Sequence, residues 1–246
     1  MRLNKFIALS TGLSRREADE AVAHAQVTVN GKIATMGMQV NDNDSVRLRD
    51  QVLRPPEVKT LIMLNKPRGY VSSRNSQSNF AKTVYELLPE QFAKLKTVGR
   101  LDRDSSGLIL LTDDGDFAFR MTHPKFVKNK TYLVRLDRGL APLHQQMISD
   151  FGVDLPDGKS RLTLTPLESV DEISRNDFNA LKTVQKIDFS ARTIWRVQMS
   201  EGRNRQIRRT FAALGYEVQR LHRVEFGEYQ IGNLAPGEVR KLALNA

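Results

Sequence analysis

An apolar run of four residues, Leu108-Ile109-Leu110-Leu111, constrains this chain more than any other stretch, because it stands directly behind the string GRLDRDSSG at positions 99–107. Four large aliphatic side chains in succession fit a strand buried on both faces, and Ser105-Ser106-Gly107 lets the backbone turn before entering it. Asp102 then falls on a loop beside the core. A solvated loop in which Asp102 and Asp104 pair with Arg100 and Arg103 accounts for the same residue types, and on residue types alone it is the favoured reading.

At 246 residues the chain can form one large domain or a small and a medium one. Lys and Arg number 38 against 28 Asp and Glu, and the formal net charge of +10 favours a polyanionic partner through phosphate neutralisation. No apolar run is long enough to span a bilayer, and the opening MRLNKFIALSTG is too short an apolar stretch for a secretory signal. The expected address is therefore cytoplasmic, with no membrane partner. Cysteine is absent, which removes disulfides, thiol nucleophiles and thiolate metal sites. His24, His123, His144 and His222 show no metal-ligand spacing, so no metal is expected.

Residues 1–54 read as a small α+β module. Leu3, Phe6 and Ile7 share one face of a first helix whose other side carries Arg2 and Lys5. Ser14 to Glu17 has the S-x-x-E spacing of a capping box, so a second helix starts at Arg15, and Val27–Val29 and Lys32–Ala34 flank an Asn30-Gly31 hairpin turn. Arg15 and Arg16 at a helix start form a candidate phosphate site, or simply keep the helix soluble. Arg54-Pro55-Pro56 interrupts regular structure, which places a linker at 55–60 and a second domain at 61–246.

In that second domain Leu61 to Leu64 reads as a buried strand, followed by a tight basic turn containing Lys66 and Arg68. Ser73 to Lys82 reads as a polar loop, and Val84 to Leu88 as a short helix ended by Pro89. The acidic stretch Asp113 to Asp116 lacks the full ligand spacing of a calcium loop, and Asp116 is expected to cap a helix over Phe117–Met121. Lys130 to Leu136 alternates Tyr132, Val134 and Leu136 with Thr131, Leu133 and Arg135, the pattern of a strand. Arg192 to Met199 is a further strand, whereas 171–186 fits no motif. In EGRNRQIRRTFAALG a helix opening at Asn204 sets Ile207, Phe211 and Leu214 toward a core and clusters Arg205, Arg208 and Arg209, with Arg203 nearby, for an anionic partner.

Taken as whole strings, GRLDRDSSGL, KPRGYVSS, K-x-Y at 130–132, EGRNRQIRR and RLHRVEFG closely resemble, in order, the motifs of the pseudouridine synthases. The stretch RLNKFIALSTGLSRREADEAV with VTVNGK resembles the S-four-like RNA-binding module. Together they resemble the bacterial ribosomal RNA synthases of the small-subunit synthase A and large-subunit synthases B, E and F branch. The resemblance implies a catalytic domain with a central, mostly antiparallel mixed sheet joined to a small α+β RNA-binding domain. It implies that Asp102 is catalytic, that Tyr132 packs against the target base, and that Arg208 pairs with Asp102. Arg2, Asn4, Lys5, Arg15, Arg16 and Lys32 would line an RNA-facing surface, joined by Lys66, Arg68, Arg100, Lys130, Arg203, Arg205 and Arg209.

The implied reaction is the cofactor-free isomerisation of a flipped-out uridine to pseudouridine, by a monomer acting on ribosomal RNA or an assembly intermediate. Asp102 would attack the sugar C1′ or the base C6, or act as base at C2′. Two other readings use the same residues. A non-catalytic ribosome-assembly factor needs only the basic surfaces, and a metal-dependent nuclease would use Asp102, Asp104 and Asp113–Asp116 as ligands.

Overall fold

The computed structural model describes residues 1–55, 59–74, 82–184 and 186–243. Positions 56–58 of the expected linker and 75–81 of the expected polar loop lie outside the described residues, as does position 185. The chain divides into two compact units, one made mainly of residues 1–60 and the other of residues 61–243.

The first unit contains α1 (Leu3–Thr11), α2 (Arg15–Ala23), β1 (Val27–Val29), β2 (Lys32–Ile33), β3 (Val46–Leu48) and β4 (Gln51–Val52), with sheet order β2-β1-β3-β4. The capping box is formed: Ser14 Oγ accepts from Glu17 N at 3.1 Å, and Glu17 Oε2 accepts from Ser14 N at 2.6 Å. Asn30 and Gly31 both adopt positive φ, as the hairpin between β1 and β2 requires. Leu3, Phe6 and Ile7 of α1 are buried with Ala18 and Val22 of α2 and with Val27 of β1.

In the second unit the elements are β5 (Leu61–Lys66), β6 (Lys96–Val98), β7 (Ser106–Thr112), α3 (Gly115–Thr122), β8 (Lys130–Leu136), α4 (Pro142–Gln146), β9 (Val153–Leu155), β10 (Gly158–Ser160) and β11 (Thr163–Pro166). There follow α5 (Arg175–Leu181), β12 (Ile194–Met199), α6 (Gln206–Ala213), β13 (Val218–Phe226), β14 (Tyr229–Gln230) and β15 (Val239–Leu242). Nine of these strands form one mixed sheet in the order β11-β12-β8-β13-β7-β5-β15, with β14 on β13 and β6 on β7, while β9 and β10 make a separate hairpin. Among the described residues β13 and β7 run parallel and the other named pairs antiparallel. The protein is thus α+β with a mostly antiparallel mixed sheet.

Strand β7 lies inside this sheet between β13 and β5, and every one of its seven residues is buried. Leu108 to Leu111 are fully inaccessible, each contributing about 1.5–3 kcal/mol by burial. The strand meets β13 at Ser106 and Gly107, in register with His222 and Arg223, before β6 pairs with its later residues. A Cβ at Gly107 would lie 2.2 Å from the Arg223 carbonyl oxygen, and φ is +106°, so glycine is required where the two backbones close on each other. Where the β13 ladder stops, Arg223 Nε donates to the Leu108 carbonyl at 2.8 Å and satisfies it in place of a strand partner.

Three local expectations are corrected. Helix α3 is capped by Asp114, whose Oδ1 accepts from Asp116 N and Phe117 N, because the helix begins at Gly115 rather than after Asp116. Helix α6 begins at Gln206 and not Asn204, since Arg205 sits at its N-cap with left-handed φ 48° and ψ 31°. The stretch that fitted no motif contains α5, capped by Ser174.

Candidate active site

The loop before β7 is held through its carbonyls. Ser72 Oγ donates to Leu101 O at 2.8 Å, Ser105 N to Asp102 O at 3.1 Å, and Gly69 N to Arg103 O at 2.8 Å. Arg68 Nε and Arg208 Nη2 donate to Asp104 O at 3.1 and 3.3 Å, and Lys66 Nζ donates to Ser105 O at 2.6 Å. All five carbonyls from Leu101 to Ser105 are therefore taken, four of them by donors from residues 66–72. Tethered in this way, the backbone presents the Asp102 carboxylate, which remains 31% exposed.

This arrangement corrects the expectation that Lys66 faces RNA. Lys66 is completely buried, and its ammonium also donates to Pro67 O at 3.1 Å. Burial pushes its pKa down to about 8, against the pull of Asp102 and Asp104. Arg68 is exposed but spends its Nε on Asp104 O.

Asp102 lines a cavity of about 560 Å³ whose walls include Tyr132, Ile207, Leu221, Arg223 and Phe226. Tyr132 on β8 is directly opposite Arg223 on β13, which in turn is opposite Gly107 on β7, so the three strands bring the aromatic ring and the carboxylate loop to one place. Tyr132 is 8% exposed and Arg223 2%. The Arg223 guanidinium lies 4.8 Å from the Phe226 ring centroid.

The arginines divide their work differently from the expectation. Arg205 Nη1 donates to Asp102 Oδ2 at 3.4 Å, and both groups are partly solvated. Arg208, expected to hold that carboxylate, instead donates from Nη1 to Val218 O at 2.7 Å and from Nη2 to Asp104 O. The left-handed N-cap turns Arg205 toward Asp102, whereas Arg208, one turn into the helix, braces the loop against β13. Burial and Arg205 lower the Arg208 pKa, with Asp102 and Asp104 acting in the opposite direction.

Arg203 Nη1 and Nη2 donate to the carbonyls of Asp157, Gly158 and Lys159, and Arg209 makes a two-point pair with Asp157 at 3.0 and 2.7 Å. That pairing holds the Asp157 carboxyl below its usual range. Both arginines thus anchor the β9–β10 turn. Lys130 lines the cavity but donates to the carbonyls of Lys128 and Glu201 at 3.2 and 3.0 Å, and burial followed by Arg223 lowers its pKa to about 8. Arg100 stays exposed at the cavity mouth.

In the first unit Arg15 and Arg16 are exposed at the start of α2, as are Arg2 and Lys32, while Lys5 is half-buried. Asn4 is half-buried: its amide donates to Asp19 Oδ2 at 2.9 Å, and its carbonyl accepts from Arg15 Nη2 at 3.0 Å. It ties α1 to α2.

Two features went unrecognised in the sequence. Arg223 was visible only as part of RLHRVEFG, and its burial depends on β13 lying beside β7. On the other face of the sheet, Ser106 Oγ meets His222 Nδ1 at 2.9 Å and His222 Nε2 meets Asp177 Oδ1 at 3.0 Å. This buried chain pins α5 to β13 and β7. Asp113–Asp116 lies beyond the far end of β7 from Asp102, roughly 20 Å away at strand rise, so the nuclease ligand set is not assembled.

Comparison with known proteins matches residues 60–213 to the family described as RNA pseudouridylate synthase and residues 1–46 to the S4 domain. The chain is 37% identical to the ribosomal small subunit pseudouridine synthase A of Pasteurella multocida, over 99% of this chain and 96% of that one. It is 33% identical to the ribosomal large subunit pseudouridine synthase B of Bacillus subtilis, over 98% of this chain and 91% of that one. A crystal structure of a pseudouridylate synthase superposes with a TM-score of 0.64 at 33% identity, covering 99% and 96% of the two chains.

Proposed function

Because the chain belongs to the RNA pseudouridylate synthase family and begins with an S4 domain, we propose that it isomerises a uridine of ribosomal RNA to pseudouridine with Asp102 as the acting carboxylate. The observation that carries this reading is the tethered Asp102 loop opening on a cavity floored by Tyr132. The relatives named for ribosomal small and large subunits supply the substrate class.

The isomerisation breaks the N1–C1′ bond, turns the uracil and forms the C5–C1′ bond; the proton leaves C5 and N1 gains one, so atoms balance without oxidation or a group carrier. Asp102 attacks C1′ or C6, or takes the C2′ proton. Each route needs the anion, and Arg205 places a cation 3.4 Å from the carboxylate. Tyr132 packs against the base, and Ile207 and Leu221 exclude water from its edges. Extruding the uridine costs about a few kcal/mol, offset by stacking and by phosphate contacts along the basic rim.

Incubation with unmodified ribosomal RNA of both subunits in EDTA, followed by carbodiimide primer-extension mapping, tests the reading. A new stop at one uridine is expected. Binding without a stop would indicate an assembly factor, and activity seen only without EDTA a metal-dependent reaction.

A further inference from the structure

Beside the cavity, α3 and the turn after it carry an aromatic cluster that the chemistry above leaves unused. The Phe119 and His123 ring centroids lie 4.6 Å apart, Phe119 and Phe126 5.8 Å, and His123 and Phe126 6.5 Å. Such a cluster belongs in a core, yet Phe119 is 46% exposed and His123 is exposed as well. Lys125 Nζ lies 4.6 Å from the Phe126 centroid and 5.4 Å from that of Phe119, so an ammonium covers the two phenyl rings. Two contacts hold His123 in place: Phe119 packs against the ring, and Lys125 N donates to its Nδ1 at 3.3 Å. His123, Pro124, Val127 and Lys128 also line the cavity that contains Asp102.

We propose that His123, backed by Phe119 and Phe126, is a stacking platform for an unpaired RNA base next to the uridine that enters the cavity. The inference rests on the proposed function, since it takes the occupant to be the strand leading to Asp102. A nucleobase is the partner these features fit. It offers a flat face to a fixed, exposed ring, and its phosphates meet Lys125 and Lys128 beside it. The platform is continuous with the cavity through His123 and Pro124, so a strand whose uridine is inserted has an aromatic rim beside its path. An extruded base also leaves its neighbours unstacked, and a preset ring restores part of that stacking.

The test uses the full chain and seven-nucleotide RNAs with a central uridine and 2-aminopurine placed one to three positions to either side. Binding is expected to quench the fluorescence at one or more of these positions. His123→Ser is expected to abolish that quenching and weaken affinity about five- to tenfold, His123→Phe to keep it, and Phe119→Ser, which loosens the backing ring, to reduce it. Absence of quenching with the unsubstituted chain, or quenching that survives both serine substitutions, would overturn the proposal. Tritium release from ribosomal RNA transcripts labelled at uridine C5 reads the isomerisation separately. Quenching without tritium release removes the proposed function but leaves the stacking surface, and release without quenching does the reverse.

Discussion

Ser72 closes both backbone groups of Leu101: its hydroxyl donates to Leu101 O at 2.8 Å and accepts from Leu101 N at 3.1 Å. Leu101 immediately precedes Asp102, so this one side chain fixes where the carboxylate begins. Ser72→Ala leaves two buried groups unpaired and is expected to cost about 1–3 kcal/mol in urea unfolding. It is also expected to lower single-turnover kcat about tenfold with KM for RNA nearly unchanged, because the loss is of position rather than of binding. Wild-type kcat in this variant would show that the loop needs no hydroxyl.

Asp102→Asn keeps the shape of the side chain and removes its charge. Product formation is expected to fall to the assay background while RNA affinity stays within about twofold. Conversion at a near-normal rate would remove Asp102 from the chemistry.

Arg205 and Arg208 differ in what lysine can replace. Lysine at 205 retains a positive charge beside Asp102, but lysine at 208 cannot span Val218 O and Asp104 O as the planar guanidinium does. Arg208→Lys is expected to lose about tenfold or more in single-turnover rate at saturating RNA, and Arg205→Lys several-fold less. If saturating RNA restores Arg208→Lys to the wild-type rate, the arginine serves binding and not the loop.

Burial lowers the Lys66 pKa from 10.5 to about 8. Below the lower value both folded and unfolded chains hold the proton, and the folded chain bears the full cost of a buried charge. Between the two values the folded chain releases the proton while the unfolded chain keeps it, so stability rises with pH. Urea midpoints of the wild type and Lys66→Met, compared between about pH 7 and about pH 10, should therefore show the wild type gaining on the variant. A constant difference would mean that Lys66 does not titrate in this window.

Arg15 and Arg16 stand exposed at the first turn of α2. Replacing both with glutamate is expected to weaken RNA binding and flatten the slope of log affinity against log salt by about 2, with conversion of a short RNA retained. An unchanged slope would place the phosphate-binding surface elsewhere.

Local patterns were the legible part of this molecule. The Ser14 capping box, the Asn30-Gly31 turn and the unbroken aliphatic run of β7 each follow from residues within a few positions of one another. The active-site bracing is different in kind. Lys66 reads as a surface cation in a basic turn, and only the pairing of β5 with β7, which sets Lys66 opposite Gly107, buries it beside Ser105. Arg208 aligns with a carboxylate-binding position, yet two carbonyls from distant segments claim its donors. Asp177 sits in a stretch without a motif because its partner, His222, is supplied by a strand 45 residues later. Contacts of this separation leave no periodicity or spacing to read.

The larger sheet has one further property. Its edge joins the unit's first strand to its last, with Leu61 opposite Leu242, and Arg223 reaches Leu108 only after β13 has been made. On the ribosome, residues 1–60 can complete their own ladder while most of the second unit is still unsynthesised. Strand β13, against which Arg208 braces the Asp102 loop, emerges near the end. Birth order therefore separates the two units: a nascent chain possesses its S4 domain well before it possesses a closed catalytic sheet.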